Sequence, residues 1–380
     1  MTSEPTLKQG NNQANARYPA THSLLQSKKF RRGFTTGFST LLVASGAAII
    51  LIPVIWMLST SLKYESNLLS IPPEWVPVEG QHIQVDGKDY IMYDVMIEGE
   101  KKTLAMVKLD PVNSEFFDPQ DPTKRYFAPG DQAKIHKVVK VHWENYKEAW
   151  TFTATPFGTF MKNTLVYALV AVLGEVLSCS LVAFGFARLR APGKNLLFML
   201  ILATMMLPWA VTMIPSYVLF TSYIPKILNG LLGTHIKLVD TWLPLMIPKF
   251  FGSAYLIFLI RQFYMGIPKD YDDAARIDGA GFFQIWWRII IPMSRPVLTA
   301  TAIMSFMWHW NDYLGPLIYL SSTHKLPLSV GLANFQAAYG GTPYHLMMAC
   351  SLIAVGPLFV IFFLLNRYFI QGVVVSGIKG

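Results

Sequence analysis

The stretch IPKDYDDAARIDGAGFFQIWWRIIIPMSRP occupies residues 267–296. It lies between two apolar stretches, 243–263 and 297–320, each long enough to cross a bilayer, which takes about 20 residues. A charged, alanine-rich, glycine-closed segment between two spans needs its own reason to fold. Asp270 can cap a helix, and Asp273 stands three residues on, as in a capping box with Asp in place of Glu. Asp272 and Asp273 suit the positive end of a helix dipole. Gly279 is placed to end the helix. The pattern predicts a short helix over 271–278, ~12 Å long at 1.5 Å per residue. Ala274 and Asp278 share a face, with Ala275 beside them, and small side chains there let another surface approach closely. A second helix over 282–290 carries Phe282, Phe283, Trp286, Trp287 and Ile290, an aromatic set suited to the membrane interface. Pro292 and Pro296 are expected to stop it and turn the chain into the next span. On these residues alone the segment is either a rigid knob built to dock into something or an ordinary structured loop.

The composition says where that knob is mounted. The 380-residue chain is 52% hydrophobic and only 14% charged. A soluble chain carries about 25% charged residues, so this is an integral membrane protein. The net charge of +9 is read as basic residues beside spans rather than as a nucleic-acid surface. Cys179 and Cys350 each sit inside an apolar span, with no metal-like spacing, and are read as small packing residues.

Six spans are predicted, over 37–60, 159–187, 196–220, 243–263, 297–320 and 346–369. Prolines inside them, among them Pro53, Pro208, Pro215, Pro248, Pro316 and Pro357, either mark kinks or are simply common in membrane helices. Basic residues set the orientation. Arg188, Arg190 and Lys194 follow the second span, and Lys269, Arg276, Arg288 and Arg295 lie between the fourth and fifth. The segments 221–242 and 321–345 are poorer in them. Both termini are therefore expected in the cytoplasm of a multi-pass protein of the cell membrane. Residues 1–36 are expected as a disordered basic tail, 37–62 as the first membrane helix, 159–370 as the membrane core with a cytoplasmic loop at 264–296, and 371–380 as a cytoplasmic tail.

Residues 63–158 form a long outer segment. QHIQVDGKDYIMYDVMIEGEKKTLAMVKLD alternates apolar and polar residues, with Asp86-Gly87 and Gly99 at turn positions. A small β-rich domain is expected over about 78–142. Its histidines, His82, His136 and His142, lack ligand spacing, and surface or packing roles are expected of them. Within the spans Glu175, Asn311 and Asp312 are candidates for a translocation path, or else bond to a neighbouring helix.

The segment Asp273, Ala274, Ala275, Gly279, closed by Ile289, Ile290, Ile291 and Pro292, resembles the EAA signature of ABC importer permeases. Asp273 takes the place of Glu, with the same charge and one methylene less reach. Ile291 takes the place of Leu, and Asp278 and Ala280 flank the glycine as in many members. WHWNDYLGPLIYL (308–320) and the end RYFIQGVVVSGIKG resemble the carbohydrate branch, of the maltose-transporter type. IPPEWVP and ENYKEAW, near neighbours in that branch, are separated here, so 78–142 looks like an insertion. The resemblance covers about 37–77 and 143–380.

It implies an all-α polytopic fold of six membrane helices, with the β-rich insertion outside the membrane between helices 1 and 2. It also implies that 271–279 is a coupling helix seated in a cleft of a separate ATPase, with Asp273, Ala274, Ala275, Asp278, Gly279, Ile289 and Pro292 carrying the contact. This chain has no G-x-x-x-x-G-K-[ST] loop, so ATP-Mg is expected on the partner ATPase and no cofactor here. Expected partners are a second permease subunit forming a heterodimer, two ATPase subunits or domains, an extracytoplasmic solute-binding protein and membrane lipid, but no nucleic acid. The 321–345 loop either enters the binding protein or is a passive connector. The implied function is transport of a sugar or oligosaccharide. The alternative is a self-contained secondary transporter or channel with a regulatory outer domain.

Overall fold

The opening helix begins earlier than its charge pattern suggests. The structure, a computed structural model, describes residues 28–68, 72–335 and 342–374. It falls into two units, 1–55 and 56–380, each taken by itself. Helix α1 (Lys28–Ser61) supplies all that is described of the first unit. Residues 28–36, expected as tail, are therefore helical. Lys and Arg are good helix formers, and extending an existing helix costs little. The rest of the expected tail, 1–27, lies outside the described residues, as does 375–380 at the other end, where the last helix runs on to Val374.

In the second unit the end of α1 is fastened at once. The Asn145 amide donates to the carbonyls of Ser61 and Lys63, 2.9 Å each, satisfying groups that a helix end leaves open. The buried Lys63 ammonium lies 4.2 Å from the Trp56 ring and donates to the Glu74 carbonyl.

The strands follow from this root. β1 (Val78–Gly80) pairs with β8 (Lys137–Val139) as a two-stranded neck. Beyond it β2 (His82–Val85), β3 (Lys88–Ile97), β4 (Glu100–Lys108), β5 (Ser114–Asp118) and β6 (Asp121–Ala128) form an antiparallel meander, with β7 (Lys134–Ile135) on β3. Asp86-Gly87 and Glu98-Gly99 have positive φ at both positions, as two-residue primed hairpin turns require. The pleat then alternates the apolar residues. Val95, Leu104 and Phe116 pack in one cluster and Met92, Ala105 and Phe117 in another, so the sheet carries apolar cores on both faces.

The rest is helical: α2 (Glu144–Thr151), α3 (Phe157–Arg188), α4 (Lys194–Thr204), α5 (Trp209–Val218), α6 (Ile224–Leu232), α7 (Leu243–Met246), α8 (Ala254–Gly266), α9 (Asp270–Ile277), α10 (Phe282–Ile285), α11 (Ile291–Met293), α12 (Arg295–Trp310), α13 (Leu314–Tyr319), α14 (Leu328–Asn334) and α15 (Tyr344–Val374). Among the described residues four helical stretches can each cross a membrane: Gly33–Ser61, Phe157–Arg188, Leu243–Gly266 and Tyr344–Leu364. Two bent pairs bring the total to six if each counts as one span. The expected straight span 196–220 is instead α4 and α5, bent by 98° just before Trp209, with Pro208 at the helix cap. The expected span 297–320 also corrects: α12 ends at Trp310, residues 311–313 are not helical, and α13 follows.

Four prolines are carried without breaking a span, Pro53 inside α1 among them. Pro215 lies inside α5 and is followed by a π turn, Leu219–Tyr223. Pro357 lies inside α15. Pro248 opens a 3-10 stretch, Ile247–Phe251, that ends at Gly252 with φ +88. There the buried Cys179 thiol accepts the Ser253 N–H at 3.1 Å, a bond on top of the packing role expected of it.

Helix α3 borders both helical cores. Its first half packs with α12, α14 and α15, and its second half with α8, α10 and the start of α12. On a connecting loop Asp240 holds the segment after α13. It accepts from the Ser321 and Ser322 N–H groups, the Ser322 hydroxyl and the Lys325 ammonium at 2.8 Å. Lys325 first, then Ser322 and the amides, hold its carboxyl well below the usual carboxylate range. With the folded value lower than the unfolded one, about 3.9, the tie is complete above that pH and is lost as pH falls through the folded value. Asp240→Asn should therefore speed hydrogen exchange at Ser321 and Ser322 at neutral pH. Unchanged exchange would show that the loop holds without this carboxylate.

Candidate functional site

Helix α9 sits one residue earlier than expected, and its first turn is built differently. Lys269, not Asp270, precedes it, with no side-chain cap, and the Asp272 and Asp273 N–H groups bond to the Lys269 carbonyl. Asp272 instead turns inward. Its carboxylate is 3.2 Å from Arg188 Nε at the end of α3, and both side chains are at most 6% exposed. Arg188 Nη2 also donates to the Ile267 carbonyl at 2.9 Å. Burial pushes the Asp272 carboxyl above its ordinary value, against the pull of Arg188.

The helix closes as expected. Gly279 takes φ +84, the Ala280 N–H reaches the Ala275 carbonyl at 2.9 Å and the Gly279 N–H the Arg276 carbonyl at 3.0 Å, the two bonds of a Schellman end.

The faces sort the candidate residues. Asp273, Ala274, Ile277 and Asp278 are exposed, so the face through Ala274 and Asp278 is open. Ala275, expected beside them, is buried in the chain's own core with Ile285, Trp286 and Ile290. It shares the inner side with Asp272, three residues back. The aromatic set also divides. Trp286 and Ile290 are buried, whereas Phe282, Phe283 and Trp287 stay exposed. Trp286 Nε1 donates to the Ser180 hydroxyl at 3.0 Å, which lies 2.6 Å from the Tyr264 hydroxyl. Ile289 is partly buried against the same core. Pro292 does not stop the helix. A π turn, Trp286–Ile290, leads straight into α11, and the chain turns by 82° at the break between Met293 and Arg295.

A second group of polar residues lies within the spans. Glu175 Oε2 accepts from the Ser305 hydroxyl at 2.7 Å and lies 3.2 Å from His309 Nε2, while Oε1 is 3.7 Å from Lys249 Nζ. The Tyr167 hydroxyl is 3.3 Å from His309 Nδ1 and donates to Asp312 Oδ2 at 2.8 Å. Asp312 Oδ1 accepts the Gly315 N–H, and the Asn311 amide donates to the Met307 carbonyl at 2.8 Å. Two cavities flank this chain of contacts, of ≈ 570 Å³ and ≈ 590 Å³. Trp209, Lys249 and Asp312 line both, and Asn311 lines the second.

Asp312 and Glu175 thus come together, joined through Tyr167 and His309, with Lys249 beside Glu175, three residues the sequence reading missed. A signal was present. Tyr167 and Glu175 fall on one face of α3, eight apart, and Ser305 and His309 on one face of α12, four apart. Away from the membrane His82, His136 and His142 each lie against carboxylates, at 2.7 Å, 2.8 Å and 2.6 Å for the nearest. Among the described residues there is no cluster suited to a metal.

The Arg188–Asp272 pair makes a stability prediction. Asp272→Ala should destabilise the folded protein by ~3–5 kcal/mol, because it leaves a buried guanidinium unpaired, and the apolar double variant Arg188→Met/Asp272→Leu should recover most of the loss. Thermal unfolding in detergent measures both; a loss below ~1 kcal/mol would mean that water already satisfies Arg188.

The sequence matches the family of binding-protein-dependent transport system inner membrane components over residues 179–375. It is 30% identical over 277 residues to the arabinooligosaccharides transport system permease protein AraQ of Bacillus subtilis, covering 73% of this chain and 92% of that protein. It is 32% identical over 239 residues to the sn-glycerol-3-phosphate transport system permease protein UgpE of Yersinia pestis, 62% of this chain and 80% of that one. In fold it is similar to a chain of a bacterial ABC transporter involved in import of the acidic polysaccharide alginate, with TM-score 0.59 and 18% identity over 90% of this chain and 98% of that one. On a family match across more than half its length, the chain belongs to the inner membrane components of binding-protein-dependent transport systems, and is a multi-pass permease of the ABC transporter type, a transport subunit rather than an enzyme.

Proposed function

We propose that this chain is one permease subunit of an ATP-driven importer of a sugar or oligosaccharide, fed by an extracytoplasmic binding protein. The observation that carries the reading is helix α9. It is short and closed by Gly279, with its outer face open at Asp273, Ala274 and Asp278 and its inner face fixed by Asp272 and Ala275. Such a knob can take a push from outside the chain and pass it to α3 and α8 without bending. Relatives named for arabinooligosaccharide and sn-glycerol-3-phosphate transport support a polyhydroxylated cargo.

In this reading ATP-Mg binds a pair of separate ATPase subunits, whose cleft receives α9 through Asp273, Ala274 and Asp278. Ala275 and Ile289 act from inside, as the seat of the knob, and Pro292 lies at its turn. A second permease subunit completes the path. The basic residues around 188–195 and 264–296 support an orientation with α9 and both termini facing the cytoplasm. The sheet over 78–139 then lies outside as an insertion, where it meets the binding protein or the companion subunit.

Gly279 tests the reading. No neighbour lies within 4 Å of a Cβ placed there, so a substitution acts through the backbone alone. A β-branched residue resists φ +84. Gly279→Val should lower ATP-dependent uptake in reconstituted vesicles about tenfold or more, with the protein inserted at normal levels. Normal uptake in the variant, or transport by the purified chain without an ATPase, would sink the proposal.

A further inference from the structure

The intramembrane cavities have a chemistry more specific than a water-filled passage needs. Ionisable groups at membrane depth are costly and ordinarily mark a path or a site. Here they sit beside aromatic rings. Trp209 is half exposed and lines both cavities, and Trp308 is similarly exposed and lines the second. Asp312 and Asn311 stand next to them where α12 ends, so a carboxylate and an amide meet the same space as two indoles. Both are open to the surroundings, the second more so, and each has room for one small ligand.

The combination suits a saccharide ring. Its axial C–H face lies on an indole, and its vicinal hydroxyls bond a carboxylate or an amide in pairs. The charge count narrows the class further. Among the residues lining the two cavities, Glu175 and Asp312 oppose a single ammonium, Lys249, itself 3.7 Å from Glu175. Even with His309 protonated the set is no better than neutral, so nothing draws in a phosphate or a uronate.

We propose that this chain itself holds a binding subsite for an uncharged saccharide, with Trp209 as the stacking platform and Asp312 and Asn311 as hydroxyl partners. The inference rests on the sugar-importer reading and names the cargo's charge class and the residues that meet it. Tyr167 and Gly315, which line the first cavity with it, hold the Asp312 carboxylate at 2.8 Å and 3.2 Å, so Asp312 is oriented before a solute arrives.

The test uses the assembled transporter in detergent without its binding protein, and reads binding by saturation-transfer NMR. The probes are arabinotriose, maltotriose, trigalacturonate and sn-glycerol 3-phosphate. A neutral trisaccharide should bind, the two anions should not, and Trp209→Ala should weaken binding about tenfold while Trp209→Phe largely retains it. Elution of both variants as intact complex separates this from misfolding. Binding of the anions alone, of none of the four, or of a neutral sugar indifferently to Trp209→Ala overturns the inference. ATP-dependent saccharide uptake by the same preparation separates the two levels. If uptake persists while the binding result fails, only the subsite falls; if no saccharide is taken up, the importer reading falls with it.

Discussion

A bilayer offers no water to a polar group, so every such group inside it must find a partner in protein. Helix α3 is where this constraint is concentrated. Along one helix it carries Tyr167, Glu175, Ser180 and Arg188, and each is met by a different element: Asp312 beyond α12, His309 and Ser305 on α12, Trp286 after α10, and Asp272 on α9. Apolar packing alone would let neighbouring helices slide past α3 at small cost. Hydrogen bonds at three of these levels and the Arg188–Asp272 ion pair at the fourth fix their register.

This arrangement joins the two regions of interest physically. Arg188 holds α9 at one end of α3, and Tyr167 and Glu175 border the cavities further along. A displacement of α9 reaches the cavity through a stiff element rather than through loops. The breaks at Gly252, at residues 311–313 and before Trp209 all border the cavities.

Much of this was legible in the residues. The short helix, its glycine close and the strand-rich stretch follow from local rules of capping, φ sign and alternation. Those rules act over a few residues, and packing overrode them only at the first turn, where Asp270 makes no cap and Asp272 turns inward to Arg188. What could not be read was pairing across distance. Asp272 and Asp273 are adjacent and chemically alike, yet one faces Arg188 and the other faces solvent, and only the packing of α9 against α3 decides which. Ala275 went to the inner face for the same reason. The bends in the spans were half legible: Pro208 marks one, whereas Pro53, Pro215 and Pro357 lie inside helices.

The sheet enters and leaves through a single doorway. Val78 is paired with Val139 and Gly80 with Lys137, so the chain departs and returns side by side, and the Asn145 amide clasps the helix exit from the returning strand's side. A module hung on two adjacent threads does not impose its shape on the membrane core. It can be lengthened, exchanged or excised at the neck with the two cut ends already one strand-spacing apart, ~5 Å. That geometry explains how a permease can carry an added sheet without renegotiating any contact among its spans.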